Sequence, residues 1–161
     1  MQQKVSISKL VHGGQGLGDL QDGRKVFVWN ALPGETVEVE LTRNKKDYAE
    51  GFAINILTPS DDRIKTYSKE DVALSVSPWS FMTYQAEQTH KKEILKETFE
   101  REHVSLPDFD FIATENGGDL THQPTHYRNK VEFSFWGDDN GLHFAQYLRS
   151  THKKIKLNYP S

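Results

Sequence analysis

Arg43, Lys45 and Lys46 crowd one short segment, and Arg149, Lys153, Lys154 and Lys156 crowd a closing stretch that contains no acid. Cations at this local density neutralise phosphates, the chemistry that holds a nucleic-acid backbone. Phe27, Trp29 and Tyr48 stand in segments with strand character, and outward-facing rings there would offer stacking surfaces to bases. The competing reading makes the lysines a solvated face and the aromatics core. The residues alone leave both open, because the net charge of −3 shows no overall basic character. Arg128 and Lys130 would share one face of a strand, with Tyr127 and Asn129 on the other. Arg128 suits a bidentate clamp on a phosphate. It suits equally an ion pair with Glu132 on the same face.

Other chemistries fail on spacing. The loop His12-Gly13-Gly14-Gln15-Gly16-Leu17-Gly18 has neither a phosphate-loop Lys-Ser/Thr ending nor the third glycine of a dinucleotide fingerprint. It reads as a turn that needs positive φ. His122 and His126 have helical metal-ligand spacing, but Pro124 between them opposes a helix and no third ligand stands nearby. We therefore expect no metal site. The chain has no cysteine, which removes disulfides, thiolate ligation and cysteine nucleophiles. No Ser/His/Asp set or carboxylate pair stands at a recognisable spacing, so no catalytic residue is assigned.

These residues need elements to carry them. The chain has 161 residues, 35% hydrophobic and 27% charged, enough for one mid-sized domain or two small ones. Val5, Ile7 and Leu10, then Lys25–Trp29, Glu35–Leu41 and Tyr48–Leu57, read as short strands, with Gly51 as a bulge or bend. The segment Glu35–Leu41 alternates strictly, so one of its faces is buried and one is wet. Asp22-Gly23 suits a tight hairpin. The fold class expected is a β-rich α+β protein. An OB-like β-barrel spans residues 1–60, and a small α+β domain spans 61–161 after the break at Thr58–Asp62. In the second part a helix is expected at about 83–103. Thr83 is its N-cap, Glu87/Lys91 and Glu97/Arg101 are spaced pairs, and Leu106-Pro107 is its stop. Tyr84, Ile94, Leu95 and Phe99 form its partial apolar stripe. Strands are expected at about 127–136 and 142–148, with Lys154–Leu157 following and Gly137–Gly141 as a turn. No apolar run reaches membrane-span length and the start has no signal-peptide core, so a cytoplasmic protein without a membrane partner is expected.

Three blocks carry a family resemblance. The first is Gly14, Gly16, Asp22, Gly23, Val26-Phe27-Val28 and Leu32-Pro33-Gly34-Glu35, continued by Tyr48-Ala49 and the exit Pro59-Ser60…Arg63. The second is Pro78-Trp79 before Tyr84 and Lys91. The third is Tyr127-Arg128-Asn129-Lys130-Val131-Glu132-Phe133-Ser134. In this order they resemble the TRAM and central domains of the RNA (uracil-5-)-methyltransferases of ribosomal and transfer RNA.

The resemblance implies an RNA-recognition role on rRNA or tRNA for Arg43, Lys45, Lys46, Trp29, Arg128, Lys130, Arg149, Lys153 and Lys154. Beyond the matched region the family continues into a Rossmann-like domain. That domain binds S-adenosylmethionine and holds the cysteine nucleophile that attacks uracil C6. This part is expected to be missing here and to act in cis or in trans, so the chain itself is expected to bind no cofactor and to methylate nothing. Many relatives place cysteines for an iron–sulfur cluster between barrel and helix. The corresponding stretch Val72–Tyr84 has serines, which implies no cluster. A different class stays open: a stand-alone structural or protein-interaction module descended from the family.

Overall fold

The structure is a computed structural model that describes residues 2–65, 78–109, 130–149 and 152–157. Five strands come first: β1 (Gln2–Leu10), β2 (Gly16–Asp19), β3 (Lys25–Trp29), β4 (Thr36–Asn44) and β5 (Tyr48–Thr58). They close into a barrel in the order β1-β2-β3-β5-β4. All neighbours are antiparallel except β3 and β5, which run parallel from Lys25↔Tyr48 to Trp29↔Phe52. The β1–β4 ladder from Gln2↔Glu40 to Ser6↔Thr36 shuts the cylinder, so the barrel has no open edge to satisfy. Val5, Ile7, Leu20, Val26, Val28, Val37, Val39, Ala49 and Ala53 fill it. Every second residue of β3 and β4 thus points inward, as the alternation required.

Glycine serves two purposes here. Gly13 and Gly14 adopt φ of +95° and +100°, and the glycine-rich segment forms the β1–β2 turn expected of it. Gly51 serves close packing. A Cβ on it would stand 2.5 Å from Val39 Cγ1 and 2.6 Å from the Glu40 carbonyl oxygen. The β4–β5 register shifts beside it, between Leu41↔Gly51 and Arg43↔Glu50. The irregularity therefore lies on β4, where Thr42 is the extra residue, and Gly51 is the residue that lets the bent strand come close.

The second part begins with an isolated bridge, Arg63↔Met82, and continues into helix α1 (Tyr84–Arg101). The Thr83 hydroxyl accepts a hydrogen bond from the Ala86 amide at 3.3 Å, satisfying one orphan donor of the first turn. Leu10, Leu32, Phe81, Met82 and Ala86 form a second core that seats the helix against the barrel, with Trp79 and Ile94 packed on it.

Two sequence expectations for the helix change. It stops before Leu106-Pro107. His103, at φ 56°, donates its amide to Glu100 O, and Val104 donates to Phe99 O, both at 3.0 Å. This double closure caps the orphan carbonyls. Glu97 pairs with Lys9 of β1 instead of Arg101, whereas Glu87 does pair with Lys91.

The tail forms a three-stranded antiparallel sheet, β6 (Ser134–Asp138), β7 (Gly141–Tyr147) and β8 (Lys154–Lys156), in that order. Its first ladder runs from Ser134↔Ala145 to Asp138↔Gly141. Residues 130–133 therefore lie outside any strand, and Gly137 and Asp138 belong to β6 instead of the turn. Tyr127, Arg128 and Asn129 lie outside the described residues, as do His122 and His126.

Candidate nucleic-acid interface

The outer face of β3 and β5 is built by parity. With Val26, Val28, Ala49 and Ala53 inside, Lys25, Phe27 and Trp29 on β3 and Tyr48, Glu50 and Phe52 on β5 point out. The Phe27 and Tyr48 rings meet edge to face, centroids 5.9 Å apart. Phe52 stands beside Trp29 in the register, and all four rings are half-buried. The aromatics are thus a surface shelf lying over the core and not part of it. Sequence reasoning missed Phe52, whose parity with Tyr48 was the available signal.

One end of this shelf carries the basic β4–β5 connection. Lys45 and Lys46 are exposed, and the Lys45 amide closes the turn on Tyr48 O at 2.9 Å. Arg24, from the β2–β3 turn, holds this loop. Its guanidinium donates to Asn44 Oδ1 at 2.6 Å and to the Lys45 carbonyl, and it is itself gripped by Asp22 at 2.6 and 2.9 Å. The Arg24 hydrogen bond holds the Asp22 carboxyl below the usual carboxylate range. Arg43 pairs with Glu50 at 3.0 Å, beside Phe27. Nothing in the local sequence signalled that Arg24 reaches across to this loop.

Arg149 closes the other end. Its guanidinium lies 4.4 Å from the centre of the Trp29 ring, a cation–π contact between two residues singled out from sequence for separate roles. Arg149 is only 9% exposed, and burial pulls its pKa down to about 10, so it stays charged at neutral pH. The remaining basic candidates lie on the tail. Lys154 sits 5.2 Å from the Tyr147 ring centre, Lys153 is exposed, and exposed Lys130 pairs with Glu132 at 3.0 Å. The structure therefore gathers Arg43, Lys45, Lys46, Trp29 and Arg149 around one shelf, and the Lys153 carbonyl accepts from the Leu148 amide, next to Arg149, at 2.8 Å.

Behind the shelf is a buried ion pair. The Glu35 carboxylate receives Arg63 Nε at 2.6 Å and Nη2 at 2.8 Å, with the Leu32 and Ser60 amides at 2.8 and 3.2 Å. The two side chains are 0% and 6% exposed. Arg63 also donates to Asn30 and lies 4.5 Å from the Phe81 ring centre. Asn30 directly follows Trp29, so the pair ties the end of β3 to the segment that leads into α1.

Among the described residues no group of three or more histidines and acids could hold a metal ion. No helix among them is long and apolar enough to cross a membrane.

The family model of the TRAM domain matches residues 2–54, the whole barrel wall up to β5. An uncharacterized RNA methyltransferase of Thermotoga maritima is 35% identical over 142 residues, 88% of this chain and 31% of that protein. Residues 2–54 are a TRAM domain, and most of the chain is similar to proteins named RNA methyltransferases. An uncharacterized RNA methyltransferase of Enterococcus faecalis is 26% identical over 97% of this chain and 33% of its own length. A 23S rRNA (uracil(1939)-C(5))-methyltransferase of Halomonas elongata is 25% identical over 97% of this chain and 31% of its own length. The chain spans about a third of the length of these curated relatives. In this TRAM-domain chain the shelf lies inside the matched barrel, whereas Arg149 and the tail lysines lie beyond it.

Proposed function

We propose that this chain is the RNA-recognition portion of an S-adenosylmethionine-dependent RNA (uracil-5-)-methyltransferase acting on ribosomal or transfer RNA in the cytoplasm. The observation that carries this reading is the aromatic shelf Phe27–Tyr48–Trp29–Phe52 with a pinned basic loop at one end. Rings take the π-faces of unstacked bases, and Lys45, Lys46 and Arg43 take the phosphates beside them. From Lys25 to Trp29 the shelf runs about 13 Å at the strand rise of ~3.3 Å per residue, room for a short single-stranded segment. In this reading Arg149 positions Trp29 and joins the tail to the barrel, while Lys153, Lys154, Lys130 and Arg128 extend the contact to more distant phosphates. S-adenosylmethionine supplies the methyl group in the family's reaction. The residues of this chain do not fit such a centre: with no cysteine there is no thiolate for uracil C6, so no methyl-transfer step is assigned to it. A catalytic portion, in the same polypeptide or a separate one, completes the enzyme.

The test is a titration of a uridine-containing RNA hairpin at low and high salt, against a DNA duplex control. Saturable, salt-sensitive binding that prefers RNA is expected. Absence of binding at low salt would overturn the reading and leave a protein-interaction role in its place.

A further inference from the structure

The tail sheet has two chemically different faces. Its register sets Phe135 opposite Phe144, Gly137 opposite Leu142 and Gln146 opposite Ile155, so these residues share one side. Phe133 joins them, its ring centroid 5.1 Å from that of Phe144, with Phe135 at 5.8 Å. No charged residue of the three strands falls on this side. The opposite side carries Asp138, His143, Lys154 and Lys156, with Asp138 pairing with His143 at 3.1 Å and with Lys156 at 3.2 Å. The apolar residues of the first side stand in water: Phe133 is 48% exposed, Phe135 58%, Phe144 54% and Leu142 71%, while Gln146 at the end of β7 is buried and the opposite side exposes Trp136 and Tyr147 as well.

A contiguous apolar patch on a protein surface marks an interaction site. Depletion of charge and enrichment in aromatics is the composition of a protein–protein interface core, whereas RNA requires cations. We infer that this face docks protein, namely the part of the methyltransferase that lies outside the third its relatives share with this chain. The inference rests on the reading of this chain as a recognition portion. The occupant follows from the relatives' lengths. They align over 88–97% of this chain but only 31–33% of themselves. Two of them align over 97% of this chain, so the segment matching this sheet belongs in both to a polypeptide with about twice as much further chain. The sheet is also oriented for it: Arg149, just past β7, is held at Trp29, so the sheet is tied to the barrel there while its phenylalanine face stays open.

The test compares carbene footprinting of Phe135, Leu142 and Phe144 in this chain with footprinting of the aligned residues in the full-length Enterococcus faecalis relative. Sedimentation of both proteins accompanies it. Strong labelling here and several-fold weaker labelling in the relative is expected. In parallel, Leu142→Asp should leave the Tm of this chain unchanged and the matching substitution should lower that of the relative. Equal labelling in the two proteins overturns the inference. Weak labelling here in a chain that sediments as a dimer also overturns it, because a second copy then covers the face. RNA titration of the same preparations reports separately on the recognition reading: loss of RNA binding with the protection difference intact would remove that reading and not the docking face.

Discussion

At the scale of single residues, Glu35 and Arg63 carry the most. Both are withdrawn from water, so each ion depends on the other and on the contacts around it. Glu35→Ala strands the guanidinium and two backbone amides. It should cost about 3–5 kcal/mol, read as a drop in the denaturant midpoint, and Glu35→Gln should cost less because it keeps the shape. A midpoint unchanged by Glu35→Ala would show that the pair is dispensable. Asp22 acts through Arg24 on the basic loop. A carboxyl whose folded pKa is depressed contributes stability above its unfolded value of 3.8 and loses it as pH falls through the folded value. NMR titration should therefore show the Lys45 and Lys46 amides constant through neutral and mildly acidic pH and moving only below the ordinary carboxylate range. Movement near pH 6 would place the control elsewhere. The segment Glu35–Leu41 already held the signal for the ion pair. Glu35 has the parity of Val37 and Val39, and a carboxylate on a buried face demands a partner. The partner, Arg63, lies too far along the chain for any local pattern to name.

At the scale of elements, the barrel depends on close strand approach. A methyl group at Gly51 meets the Glu40 carbonyl oxygen at 2.6 Å, and a backbone oxygen cannot swing aside as a side-chain tip can. Gly51→Ala should therefore destabilise the barrel by about 1–3 kcal/mol and weaken amide-exchange protection along β4 and β5 first. Protection lost uniformly, or not at all, would contradict that placement. The strands themselves were legible because alternation in Glu35–Leu41 and Lys25–Trp29 has period two. Which set of Lys25–Trp29 faced outward was not legible. Val26 and Val28 compete with Phe27 and Trp29 as core, and only closure of the barrel decides. Tail strands were harder still, since Val131 and Phe133 continue the alternation of Phe135 but the ladder with β7 ends at Ser134.

At the scale of the whole molecule, a net charge of −3 forbids long-range attraction of RNA by the protein as a unit, so binding must come from local clusters within a Debye length of about 8–10 Å. Replacing Lys45 and Lys46 with Glu should weaken RNA binding and flatten the slope of log K against log salt by about 0.7 per lost phosphate contact on a single strand. Replacing Lys153 and Lys154 with Glu should weaken RNA binding as well. Unchanged affinity in the combined four-site variant would sink the assigned binding face.

Composition, alternation and turn residues determined by themselves that this chain makes a β-barrel followed by a helix and more strands. Those signals are local, repeating every two or three to four residues. The motifs likewise sufficed for the TRAM domain. Tertiary structure alone decided that the aromatics of β3 and β5 face outward, that Arg149 rests on Trp29, that Arg24 grips the basic loop and that Glu35 meets Arg63. Each of these is a contact between residues distant in the chain, set by barrel closure and packing, and no local periodicity encodes which distant side chains will meet.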